Sequence, residues 1–160
     1  MLGIIKNQKG ISMLEILLVL VILGILSSMG FSSYGTWQKH VLLTNTRDEL
    51  KSGLVRAQQL ATSAANNTSW GMHLATSSYT IFPGSFYNEA DPDNKTWELN
   101  GVEIVNSYST FSDGSGGYSS DVVFSKFDGD TYNTGTVSII VSAQPTLSKS
   151  VIVQSSGQID

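Results

Sequence analysis

The chain contains no cysteine, so disulfides, thiolate metal centres and thiol nucleophiles are excluded. Its two histidines, His40 and His73, stand far apart with no HExxH-like spacing between them. Charge is also scarce: Asp, Glu, Lys and Arg make up 14% of residues, against about a quarter in ordinary soluble proteins. Serine, threonine, asparagine and glycine fill the gap, a composition that suits strands and turns on a secreted surface. Basic residues are few, and the net charge is −4. Losing residues 1–10, with Lys6 and Lys9, would take it to −6. Beyond residue 67 only Lys95, Lys126 and Lys149 remain, too few to neutralise a phosphate backbone, so no nucleic acid is expected as a partner.

What the chain does have is one long apolar run. From Ile11 to Phe31 it reads ISMLEILLVLVILGILSSMGF, 21 residues with a single charge, Glu15. A helix of that length would span roughly 30 Å, the thickness of a bilayer core. A secretory signal peptide fits poorly, because an acid sits inside the run and no A-x-A-like site closes it.

From Trp37 to Ala65 there is no proline and one glycine, Gly53. Leu43, Leu50, Leu54, Ala57, Ala61 and Ala64 recur at helical spacing and make one apolar stripe. The expected helix is therefore apolar all round in its first half and amphipathic in its second, and "ANNTS" at 65–69 ends it. Short strand candidates follow: WGMHLA, YTIF, WELNGVEIV with Gly101 as a bulge or bend, DVVFSKF, TVSIIVS and SVIVQ. The fold class expected is α+β: a long N-terminal helix packed through its stripe on a small antiparallel β-sheet domain. The expected divisions are 1–10, 11–34, 35–66 and 67–160.

"KGISMLE" at 9–15 resembles the processing site of type IV prepilins and type II secretion pseudopilins. The pattern is a short basic leader ending in glycine, an apolar first mature residue, a glutamate five positions into the mature chain and an apolar helix. Gly10, Ile11 and Glu15 fall in that register; the first mature residue is Ile rather than the commoner Phe. The segments "LKSGLVRAQQLATSAANN" and "VVFSKFDGDTYNTGTVSIIV…SVIVQSSGQI" resemble, less specifically, the minor pseudopilins of the GspH/FimT group. The resemblance implies a non-catalytic filament subunit of a secretion pseudopilus or a pilus. A prepilin peptidase would cut between Gly10 and Ile11 and methylate the Ile11 amine. Other pilin-like subunits, an inner-membrane assembly platform and the lipid bilayer are the implied partners. The implied location is the bacterial inner membrane, crossed once, with the C-terminal domain outside the cytoplasm. The competing reading is a membrane-tethered binding module, or a DNA-uptake pilin, that uses the helix only as an anchor.

A lone carboxylate in an apolar bundle needs a partner. Cleavage before Ile11 would create one, a new α-amine. Within one helix that amine points the wrong way, so the amine of a neighbouring subunit is the better candidate, and the pair would fix axial register. No metal or other cofactor is expected. Calcium is the weak alternative: Asp113 and Asp121 flank a glycine-rich loop, and Asp128 and Asp130 sit in "DGDTYN", but neither run supplies the six to eight oxygens the ion takes. Turn chemistry accounts for these residues and for "DPDN" at 91–94 more simply. Trp70, Trp97 and Tyr118 are expected to pack in the core or on the sheet.

Overall fold

The computed structural model describes residues 10–105, 110–113 and 115–160, the side chains of 29–33 excepted. By its internal contacts the chain divides after Gln38. A single helix, α1, runs from Met13 to Thr62. It stops where Ala64 turns left-handed (φ 51°), followed by a 3-10 turn at Ala65–Asn67 in which Asn66 and Asn67 also take positive φ. Asparagine tolerates that conformation better than most residues, so "ANN" ends the helix as its composition suggests.

The residues beyond Gln38 build two antiparallel sheets. The first contains β1 (Trp70–Leu74), β2 (Ser78–Pro83), β3 (Lys95–Glu98) and β7 (Asp121–Phe124), in the order β3-β2-β1-β7. In the second, β8 (Gly135–Val141) pairs with β4 (Val102–Val105), with β9 (Gln144–Val153) and, at Gly135, with β5 (Phe111–Ser112), which pairs in turn with β6 (Tyr118–Ser119).

The stretch WELNGVEIV is therefore two strands rather than one, and Gly101, expected as a bulge or bend, is the turn between them. Gly101 adopts φ 77°, which glycine takes without strain, and the chain turns there from the first sheet into the second. The expected single sheet is likewise two. The loop expected at 107–121 contains the two-residue strands β5 and β6, and its residues 107–109 and 114 lie outside the described residues.

Both sheets share one core with the helix. Leu43, Leu50, Leu54, Ala57 and Ala61 are buried in the same cluster as Met72, Leu74, Ile81, Val122 and Phe124 of the first sheet. Val102, Ile104, Val137, Ile139, Val151 and Val153 of the second sheet belong to it too. Ala64, expected on the stripe, is only half-buried because the helix has ended before it. Thr46 is buried on the helix instead. Gly53 lets a strand come close: a Cβ there would lie 2.7 Å from the Met72 methyl and 2.9 Å from the Tyr79 ring. The Gln58 amide donates from the helix to the carbonyls of Gly129 (3.0 Å) and Gly157 (2.9 Å), two positions widely separated in the chain. Trp70 is buried and donates to the Ala65 carbonyl, and Trp97 stacks on Tyr79 at 5.3 Å, as expected of packing residues. Tyr118 departs from that expectation: it is 72% exposed.

Leu54→Ala removes a fully buried side chain between helix and sheet, and is expected to lower stability by about 2–5 kcal/mol in chemical denaturation of the full chain. A second expectation concerns Tyr79, whose phenol is pushed well above the usual tyrosine value by burial and then by the neighbouring Glu49 carboxylate, 3.4 Å away, while Arg56 opposes. The native state thus holds this proton more tightly than the unfolded chain. The resulting stability is whole below about pH 10, where an unfolded tyrosine ionises, and declines as pH rises above it. Denaturation midpoints of wild type and Tyr79→Phe, compared between about pH 8 and pH 11, should show the steeper fall in wild type.

Candidate processing and assembly site

Helix α1 begins just after the residues singled out for cleavage. The Ser12 carbonyl accepts hydrogen bonds from the amides of Glu15 (3.0 Å) and Ile16 (3.3 Å), while Gly10, Ile11 and Ser12 lie outside the helix. The Gly10–Ile11 peptide is thus non-helical and exposed. A Cβ on Gly10 would meet nothing within 4 Å, so this fold itself makes no demand for glycine there.

Glu15 is exposed in the first turn of α1. A carboxylate at a helix N-terminus is favoured by about 0.3–1 kcal/mol through the partial positive charge of the unpaired amides. Ser12 and Glu15 also have the S-x-x-E spacing that marks helix starts, a signal the sequence carries in plain view beside the apolar run.

Beyond Glu15 the helix surface is apolar on every side. Each apolar side chain from Ile11 to Leu26 is exposed, from 47% at Ile22 to 88% at Met13. Ser27 and Ser28 return their hydroxyls to the carbonyls of Leu23 and Ile25 (2.7 Å each), so they add no unsatisfied polar group to that surface. Continuous apolar exposure on this scale marks contact with lipid or with other chains. Among the described residues no helix is long and apolar enough to cross a membrane. Further along, Tyr34 and Trp37 are both exposed, with ring centroids 6.0 Å apart. Aromatic residues of this kind are enriched where apolar segments meet water.

Of the acidic candidates, Asp113 and Asp121 have side chains engaged in local structure. Asp113 Oδ1 accepts the amides of Ser115 (2.7 Å) and Gly117 (2.8 Å). Asp91 Oδ1 accepts the Asp93 amide at 2.9 Å, the turn chemistry expected of "DPDN". Asp128 and Asp130 are exposed, and the Asp130 carbonyl accepts from Ser125. Among the described residues no three acidic or histidine side chains converge as metal ligands. Asp121 pairs instead with His73 (Oδ1 to Nδ1, 2.5 Å), an interaction invisible in sequence because the β1–β7 register brings together residues 48 apart. Tyr87 stacks on the same imidazole at 4.0 Å. Ser120 Oγ also approaches His73 Nδ1, at 3.4 Å. Serine and aspartate thus meet one ring nitrogen, whereas a nucleophile–base–orienter relay places them on opposite nitrogens.

Comparison with known proteins agrees with this geometry. Residues 5–31 match the family described as the prokaryotic N-terminal methylation motif. Among solved structures, the type IV minor pilin FimU of Pseudomonas aeruginosa superposes with a TM-score of 0.53 at 14% identity, covering 74% of this chain and 90% of that one. The minor pseudopilin EpsH of the Vibrio cholerae type 2 secretion system gives 0.50 at 16% identity, covering 74% and 94%. A search of curated proteins found no match. The chain carries a prepilin-type methylation motif at its start and shares the fold of these two minor subunits.

Proposed function

We propose that this protein is a non-catalytic subunit of a pilus or pseudopilus filament, anchored by α1 before assembly and held in the filament by the same helix. The observation that carries this reading is the methylation motif over 5–31, with Gly10, Ile11 and Glu15 in register at the start of a helix that is apolar all round. The minor-pilin fold of the remainder supports it. A prepilin peptidase cuts the exposed Gly10–Ile11 bond and methylates the new amine, which keeps its positive charge. The apolar surface from Ile11 onward enters the bilayer once, with Lys6 and Lys9 retained on the cytoplasmic side. Tyr34 and Trp37 then sit near the outer interface, and the sheet domain lies outside. An assembly platform draws the helix from lipid into a bundle of neighbouring subunits. Leu, Ile and Val side chains serve both environments, since neither lipid nor bundle requires a polar face.

Glu15 sets the order of assembly. In the bundle its charge is removed from water, and the α-amine of a neighbouring subunit's Ile11 neutralises it. Removing one partner of a buried pair typically costs about 3–5 kcal/mol, enough to exclude a subunit whose register is wrong.

Gly10→Arg is expected to leave the full-length chain uncut, seen as an unchanged intact mass, with the far-ultraviolet spectrum preserved because position 10 lies in open space. Normal processing of that variant would remove the assignment of the cleavage site. Glu15→Leu is expected to be cut and to remain in the membrane fraction, yet to be lost from sheared filaments and from cross-linked subunit ladders. Incorporation at the wild-type level would refute the pairing.

A further inference from the structure

We propose that the outer face of β7 forms a saccharide-binding groove, a function separate from filament assembly. Alternate residues Ser119, Asp121, Val123 and Ser125 face one way along this strand and its flanks, and all four are half-buried. They floor a cavity of about 400 Å³. Two aromatic rings wall it, Phe86 from the loop after β2 and Tyr132 from the segment before β8. Both stand in solvent, at 86% and 83% exposure, in a domain that fully buries Phe82, Phe111 and Phe124. Asp113 and Asn133 add oriented polar groups to the lining, and Ser69 and Ser85 add hydroxyls.

The chemistry of the lining selects the ligand. A sugar ring presents C–H faces that rest on aromatic rings, and an equator of hydroxyls that bond to carboxylates, amides and hydroxyls. The groove offers both kinds of surface side by side, and its size falls in the range of small-molecule sites, roughly 300–1,000 Å³. No lysine or arginine lines it, so a phosphate or nucleic acid lacks a counter-charge. Val123 is the one aliphatic side chain in the lining, too little for an amphipathic helix.

Strand addition is closed off as well. β7 is the edge of the first sheet, but its outward-facing amides already have acceptors. Asp121 N–H donates to Ser119 Oγ (2.9 Å), Val123 N–H to Asn133 Oδ1 (3.1 Å) and Ser125 N–H to the Asp130 carbonyl (2.8 Å). Asp113 and Asp121 are fixed through Oδ1 by the Ser115 and Gly117 amides and by His73, so the carboxylates are oriented before any ligand arrives.

The test is an amide-resolved NMR titration of the full chain in a zwitterionic detergent without a sugar headgroup, with cellotetraose, maltotetraose and tetra-N-acetylchitotetraose added separately. At least one oligosaccharide should shift the amides of β7 and of residues 85–86 and 132–133. Phe86→Ala and Tyr132→Ala should each weaken that binding by roughly tenfold or more while leaving the remaining spectrum in place. The proposal fails if none of the oligosaccharides shifts these amides up to about 10 mM, or if binding persists unweakened in both variants.

Discussion

The second half of α1 is the surface on which the sheet domain is built. Neither sheet has a core of its own: the inward residues of both meet in one cluster with Leu43, Leu50, Leu54, Ala57 and Ala61. The small residues in that stripe are as important as the large ones. Alanines at 57 and 61 and the glycine at 53 let strands approach the helix closely, and the leucines fill the space on either side. Every later feature, from the β1–β7 register to the groove on β7, inherits its position from that contact.

The two stretches of α1 solve opposite problems with one backbone geometry. From Lys39 onward the helix has a buried stripe and a polar remainder. Before Ser28 it has no polar face, and its one charge is confined to the first turn, where helix amides favour it. An acid deeper in the run would meet apolar surroundings without that help. Its place four residues after Ile11 puts it in the first turn, where those amides lie.

Features written in contiguous residues were legible from sequence: the methylation motif over 5–31, the apolar run, the helical stripe from Leu43 and the alternating strands. What escaped depends on distant pairings. WELNGVEIV has continuous strand character, yet β3 and β4 find partners in different sheets, and only the left-handed Gly101 marks the change. Tyr118 has the composition of a packing residue, but the two-residue strand that carries it leaves it in solvent. The His73–Asp121 pair is created by strand register, and the groove collects residues from Ser69 to Asn133 with no local spacing to announce them. The methylation motif covers residues 5–31 and says nothing about that surface.

The Gln58 amide has a consequence for the order in which the chain matures. One of its two acceptors, Gly157, lies 99 residues downstream, and the tail beyond β9 is tied to that strand by the Ile152–Asp160 amide–carbonyl exchange. A contact spanning so much sequence closes late, because the entropy of a long loop opposes it until neighbouring contacts are in place. The apolar helix, by contrast, is complete once its first few dozen residues have been made. The helix can therefore form well before the sheet domain closes, and that closure waits on residues as far along as Gly157.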